Sequence, residues 1–270
     1  LPPGLEGRPE LRVAIDIALE AGAVIEAFVR LGFARHEKTD STPVTEADLA
    51  ADAIITSRLR DAFPEDGLIS EESGLAPGVS RYLWCVDPLD GTEAFIDGSR
   101  RGYAVQIARL ERVDGGWSPV LGVVYEPRHD ELFYGAIGLG AFASIAGSSS
   151  SIFCPTSSSK RFVTSSRVDR ALCSRLEGAG FRNLGELRSV GVKVGRLLLG
   201  EADAYLATHP LSWWDLAAPQ VILEAAGGRV TSLSGANPCY DDRPGAPLRI
   251  ESPLVFSLGL PHESVLSAFT

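Results

Sequence analysis

Two aspartates three residues apart, Asp87 and Asp90, lie in the run Asp87-Pro88-Leu89-Asp90-Gly91-Thr92, directly after the apolar stretch Tyr82 to Val86. Acids at the end of a buried strand are costly unless a cation neutralises them. Pro88 stiffens the exit and removes a competing donor. Gly91 lets the backbone approach a ligand closely, and Thr92 supplies a hydroxyl beside it. A helical turn starting here would aim free N–H groups at an anion. Taken alone, the run also fits an Asx-type turn that caps the next element.

Three further acidic sites share this setting. Glu71-Glu72 follows Gly67 to Ser70, Asp48 follows the break at Pro43-Val44-Thr45, and Asp215 follows Trp213-Trp214. Separately, Asp48 and Asp215 read as charges at helix N-termini, and Glu71-Glu72 as a solvated turn. Four such sites, each at the edge of an apolar element, point to convergence on one metal site. Mg²⁺ takes hard oxygen ligands and keeps several waters, so a few carboxylates and a substrate phosphate suffice. Two such ions clamp the attacking and leaving oxygens of an in-line displacement. Zinc is disfavoured, because His36, His129, His209 and His262 sit in turns or polar contexts and form no HExxH pattern. There is no GxSxG elbow and no P-loop.

The elements that must position these acids are legible in the hydrophobic periodicity. Residues 9–30 read as an amphipathic helix, with Leu11, Ile15, Ala18, Val24, Ile25 and Phe28 near a 3.6 period. Thr45 reads as an N-cap with Asp48 three residues on, opening a helix to about Ala62 that Pro64 ends. Short apolar segments then follow: Leu68 to Ser70, Tyr82 to Val86, Tyr103 to Leu110, Val120 to Tyr125, Glu131 to Tyr134 and Ala141 to Ile145. With turns at Asp114 to Gly116, Pro127 to Asp130 and Gly138 to Gly140, they predict an antiparallel meander. The Ser-rich stretch Gly147 to Lys160 reads as a surface connection. It separates an N-terminal α+β half (1–146), carrying most of the acids, from a C-terminal α/β half (147–270) that supplies Asp215. In that half, strands Phe162 to Thr164, Ala204 to Leu206, Arg229 to Thr231 and Leu254 to Leu258 alternate with helices over 167–179, 189–200 and 214–226 and a short terminal helix.

The 270 residues, 45% hydrophobic and 22% charged, are those of a globular chain with a sizeable core. A net charge of −10 excludes a nucleic-acid polymer or an anionic membrane as main partner, since both need a basic face. It does not exclude an anionic small substrate, because cations held by clustered carboxylates invert the local charge. No apolar run is long enough to cross a bilayer and the N-terminus lacks secretory features. The scattered Cys85, Cys154, Cys173 and Cys239 read as free thiols in a reducing cytoplasm. The lack of Met, even at position 1, marks the sequence as an incomplete translation product.

Together the motifs resemble the lithium-sensitive, Mg²⁺-dependent phosphomonoesterases of the inositol monophosphatase superfamily. The resemblance rests on Val44-Thr45-Glu46-Ala47-Asp48, Ser70-Glu71-Glu72-Ser73, Asp87 to Thr92 with Phe95, and Trp214-Asp215-Leu216-Ala217-Ala218, in that order, and spans about residues 10–260. It implies a layered α/β/α/β/α sandwich of the inositol monophosphatase and fructose-1,6-bisphosphatase type, with the site between the halves. It implies that Glu71, Asp87 and the carbonyl of Leu89 hold a first Mg²⁺, and that Asp87, Asp90 and Asp215 hold a second. A third, looser ion would sit near Glu71. Thr92, oriented by Asp48, would position the attacking water, with Glu71 holding the metal that acidifies it. Gly91 and Thr92 would donate to the phosphate, and Asp90 and Asp215 would face the substrate. The family is often dimeric, so a homodimer is possible.

Within the superfamily, true inositol monophosphatases carry a Glu seven residues before the Trp-Asp aspartate, where this chain has Thr208. The segment Ser189-Val190-Gly191-Val192-Lys193, followed by Gly200 to Tyr205, instead resembles the 3′(2′),5′-bisphosphate nucleotidases, in which the Ser and Lys lie near the nucleotide phosphate. The alternative for Lys193 is a solvated helical lysine. The expected function is removal of the 3′-phosphate of adenosine 3′,5′-bisphosphate. An inositol- or sugar-phosphate phosphatase would use the same ligands, and a catalytically silent metal- or phosphate-binding regulator is the alternative from another class.

Overall fold

The computed structural model describes residues 5–37, 43–98, 102–152, 157–241, 243, 245–251 and 253–269. Helix α1 (Pro9–Leu31) leads through the short paired strands β1 (Arg35–Glu37) and β2 (Pro43–Thr45) into α2 (Glu46–Ala62). An eight-stranded sheet follows, made of β3 (Gly67–Ser70), β4 (Gly74–Ala76), β5 (Tyr82–Asp90), β6 (Ala104–Val113), β7 (Gly116–Glu126), β8 (Glu131–Ala136), β9 (Gly140–Ile145) and β10 (Ser148–Ile152). Its order is β10-β9-β8-β7-β6-β5-β3-β4, and the short helix α3 (Thr92–Ile96) leaves the end of β5.

The second half contributes β11 (Arg161–Thr164), α4 (Arg170–Gly178), β12 (Arg182–Glu186), α5 (Val190–Leu198), β13 (Ala204–Ala207), β14 (Leu211–Ser212) and α6 (Trp213–Ala225). It ends with β15 (Arg229–Ser232), β16 (Arg249–Ile250), β17 (Leu254–Ser257) and α7 (His262–Leu266). Its five-stranded sheet has the order β12-β11-β13-β17-β15.

Alternation along the strands sorts the core into layers. Trp84, Val86, Val105, Ile107 and Val123 pack with α1 and α2 on one side of the large sheet. Leu83, Cys85, Ala104, Ala108 and Val124 face the other way, toward α5 and α6, which also cover Val163, Tyr205 and Phe256 of the small sheet. Phe162, Leu206 and Val255 on its far face meet α4 and α7. The result is the expected α/β/α/β/α sandwich.

Two sequence expectations change. Leu68 to Ser70 is not part of an antiparallel meander, because β3 runs parallel to β5, the intervening β4 hairpin having returned the chain to the same end. The Ser-rich stretch is not wholly a connection, since Ser148–Ile152 pairs with β9 as an exposed edge strand, where backbone pairing needs no apolar face. The same applies to the exposed edge strand β12. The large sheet thus extends past residue 146. Residues 153–156 of that stretch, with Cys154, lie outside the described residues, among which Cys85, Cys173 and Cys239 are free. No described helix is long and apolar enough to cross a membrane.

Helix α5 decides how the halves meet. All nine of its residues are buried, because it lies between two sheets. Gly191 and Gly195, one turn apart, let it approach the large sheet: a Cβ at Gly191 would come within 2.8 Å of Val124, and one at Gly195 within 2.8 Å of Phe133. A helix without a wet face must pair its own charges. Arg196 accordingly donates to Glu126 at 3.1 Å and to Glu131, both of them buried. Arg196→Ala leaves Glu131 without this cation and Glu126 with His129 alone, so urea unfolding should show a loss of roughly 3–5 kcal/mol. A loss below about 1 kcal/mol would show that the cluster relaxes or hydrates instead.

Candidate metal centre

The i, i+3 spacing of Asp87 and Asp90 would place them on opposite faces of a regular strand. They share a face because β5 contains a bulge. Asp87 pairs with Gln106 and Asp90 with Ala104, so three steps on β5 answer two on β6. The phase change is visible in Leu89. An odd-numbered residue like Leu83 and Cys85, it nevertheless packs on the α1/α2 side with Trp84 and Val86. Both aspartates therefore face the middle layer, where α6 begins. Asp215, in the first turn of α6, accepts the Ser212 N–H at 2.8 Å in a capping box.

The result is one cluster. Asp87, Asp90 and Asp215 each offer a carboxylate oxygen, all within 4.8 Å of one another. Glu71 follows β3, and its N–H continues the parallel ladder to Val86 O at 3.1 Å. Its charge acts on all three aspartates. Burial and the neighbouring acids push Asp87 far above the ordinary carboxyl value and Asp215 up to about 8. Burial also raises Asp90, against the opposing pull of Lys193. Hard oxygen donors crowded this way, with a half-buried mouth at Glu71, Thr92 and Asp215, fit Mg²⁺. Cys85 is buried nearby, and burial with Asp215 and Asp87 lifts its thiol well above the ordinary value.

Thr92 completes the opening. Its hydroxyl donates to Asp48 Oδ1 at 2.9 Å and lies 3.2 Å from Leu89 O. Asp48 Oδ2 accepts from the Thr45 N–H at 2.8 Å and the Thr45 hydroxyl at 2.5 Å. Asp48 is thus a capping acid of α2 and also the anchor of Thr92, so both sequence readings apply to it. Gly91 holds φ +94°, and a Cβ there would come within 2.0 Å of Gly102 O. Only glycine makes this turn from β5 into α3.

Ser189 and Lys193 lie elsewhere than the mouth. Ser189 is fully buried, donates to Asp90 Oδ2 at 2.6 Å and accepts from the Val192 N–H as the N-cap of α5. Lys193 is 1% exposed. Its ammonium donates to Arg188 O at 3.0 Å and lies 5.0 Å from the centre of the Tyr205 ring. Burial lowers it to about 8, opposed by the nearby Asp90 and Asp215. It is not a solvated lysine, because α5 has no solvated face. Thr208 lies between β13 and β14, where its hydroxyl accepts from the N–H of Asp169, the N-cap of α4, at 3.1 Å.

Sequence reasoning missed Gln106, whose Nε2 donates to Asp90 Oδ2 at 2.5 Å, and the Gly191 N–H, which reaches the same oxygen at 2.9 Å. A glutamine alternating with Ala104, Ala108 and Leu110 on a buried face was the available signal. The histidines stay out of the site. His262 is a core residue bonded to Thr231 and Ser257, each at 2.7 Å. An apolar cavity of about 390 Å³ lies at the other end of β3 and β5, lined by Ile69, Tyr82, Trp117, Trp213 and Leu248, and has no carboxylate cluster.

The family profile described as "Inositol monophosphatase family" matches residues 7–252. A histidinol-phosphatase from Streptomyces coelicolor is 33% identical, covering 84% of this chain and 87% of its own length. A 3′(2′),5′-bisphosphate nucleotidase CysQ from Salmonella typhimurium is 35% identical, covering 76% and 82%. Among solved structures, an IMPase from Thermotoga maritima is 26% identical, with a TM-score of 0.79 over 96% of both chains.

The raised carboxyl values set a pH dependence. Folded, metal-free protein keeps protons that the unfolded chain releases near the ordinary value of 3.8, up to about 8 for Asp215. The native state binds more protons across that window, so its stability falls as pH rises from 3.8 to about 8. Melting of EDTA-treated protein should show that decline, and MgCl₂ should restore most at the alkaline end. A melting temperature that rises across the window would contradict the clustering of these acids.

Proposed function

The chain belongs to the inositol monophosphatase family and is a phosphoric monoester hydrolase, and within that class we propose a Mg²⁺-dependent 3′(2′),5′-bisphosphate nucleotidase. The observation that carries the substrate reading is Lys193, a fixed cation beside Asp90 and Asp215, in a chain whose position 208 offers a threonine hydroxyl and no carboxylate. A substrate with two phosphates gains most from an added positive charge, and a polyol loses a ring-hydroxyl acceptor. The 35% identity to the Salmonella relative named as such a nucleotidase agrees with this.

Glu71, Asp87, Asp90, Asp215 and the Leu89 carbonyl would hold two Mg²⁺ ions, with a third, looser one near Glu71. Bound there, Mg²⁺ supplies positive charge for the phosphoryl oxygens and acidifies a coordinated water. The Thr92 hydroxyl spends its one proton on Asp48, so its lone pairs are left to accept from the attacking water. The two Thr45 bonds fix Asp48, and hence the direction from which that water is held. Gly91 and Thr92 bring backbone up to the phosphate. Ser189 acts through Asp90, while Lys193 draws the substrate's charge from below. Catalysis is positioning and charge stabilisation with no covalent intermediate.

Phosphate release with Mg²⁺ from adenosine 3′,5′-bisphosphate, histidinol phosphate, inositol 1-phosphate and fructose 1,6-bisphosphate tests the reading. The highest kcat/KM is expected for the nucleotide. Preference for another substrate keeps the metal chemistry and replaces the substrate class, while no release from any favours a silent binder. Asp90→Asn should lower kcat by about 100-fold or more with the fold intact. A normal rate in that variant would remove Asp90 from the metal site.

A further inference from the structure

We propose that Gln106 is a positioning residue that makes Asp90 a one-oxygen metal ligand, an inference that rests on the metal reading above. The bulge in β5 brings Asp90 to the site but leaves the strand with an extra residue and a locally broken ladder. Something must then fix the rotation of its carboxylate. Three donors converge on Oδ2: Gln106 Nε2 at 2.5 Å, Ser189 Oγ at 2.6 Å and the Gly191 N–H at 2.9 Å. A carboxylate oxygen has two lone pairs, so Oδ2 is saturated. Oδ1 alone remains to join the Asp87 and Asp215 oxygens.

Gln106 is the donor that crosses the bulge. It pairs with Asp87 in register and reaches past it to Asp90, whereas Ser189 and Gly191 come from the opposite layer. Its residue type has no other reason on this face. Ala104, Ala108 and Leu110 flank it in the apolar middle layer, and it is 0% exposed. Its Oε1 is buried and has no hydrogen-bond partner among the described residues. Such an atom is costly to a fold. An apolar side chain of the same volume would avoid that cost and forfeit only the bond to Asp90.

Calorimetric titration of Mg²⁺ into the full-length, EDTA-stripped and dialysed protein tests this without turnover. Gln106→Met is nearly isosteric and lacks the donor, and Gln106→Asn keeps the amide but is too short to reach. In both, the Mg²⁺ dissociation constant should rise about 10–100-fold, as for loss of outer-shell support. The metal-free melting temperature should stay near that of the parent in Gln106→Met, and fall without loss of the fold in Gln106→Asn, which buries an unpaired amide. Gln220→Met supplies the control, a buried glutamine on α6 bonded to Tyr240 and Glu224, and should leave Mg²⁺ affinity unchanged. Unchanged Mg²⁺ affinity in either folded Gln106 variant overturns the proposal, as does an equal loss in Gln220→Met. Parent protein that binds no Mg²⁺ overturns the metal reading itself. If Gln106→Met fails to fold, Gln106→Asn decides.

Discussion

Asp87, Asp90 and Asp215 hold carboxylate oxygens within 4.8 Å of one another, and two of the three residues are almost out of reach of water. At that separation, two unit charges repel by roughly 3.5 kcal/mol at an effective dielectric near 20. The fold cannot relieve this by turning the side chains away. The β5 bulge, the capping box of α6 and the donors on Asp90 fix them inward. Relief has to come from positive charge, supplied by protons, by Lys193 or by a bound cation. In the metal-free protein protons fill this role, up to about pH 8 at Asp215, and a bound cation would displace them, which gives the site the character of a metal trap.

The layered architecture follows from the need to bring these acids together from distant parts of the chain. Glu71 and the Asp87–Asp90 pair sit at the same end of β3 and β5 because those strands are parallel. Asp215 reaches them because α6 packs in the middle layer between the sheets. Helix α5 shares that layer and has no solvated side, so its polar side chains turn to buried partners, although Arg196 Nε finds none among the described residues. Ser189 and the Gly191 N–H hold Asp90, Lys193 faces the acids, and Arg196 neutralises Glu126 and Glu131. The close approach at Gly191 and Gly195 makes this possible.

Most of the layer sequence was legible, because strand alternation and helix periodicity report burial directly. Thr45 and Asp48 announced the start of α2, and Asp87 to Thr92 announced a ligand-binding turn. What stayed hidden was set by pairing between distant segments. The edge strands β10 and β12 are exposed and lack an apolar face, so nothing in Ser148–Ile152 or Arg182–Glu186 marks them. The parallel direction of β3 depends on the β4 hairpin. The bulge in β5 is invisible locally, since it exists only relative to the register of β6, and Gln106 gains its meaning from that register. Lys193 could be read as solvated because a nine-residue helix does not reveal that both its sides are covered.

Lys193 joins the two demands on this site. A fixed ammonium beside Asp90 and Asp215 lowers the negative charge that a metal must neutralise, so it competes with the metal for those carboxylates. It cannot displace the metal, because Lys193 is anchored on Arg188 O and over Tyr205 at a set position. Metal ions dissociate and are replaced, whereas this cation stays while a highly charged substrate arrives and leaves. Under the bisphosphate reading proposed above, the site gives up some metal affinity for a cation fixed in place. It can keep its carboxylates in place only if they are held by neutral donors such as Gln106 and Ser189. A donor that itself carried positive charge would weaken the metal site a second time.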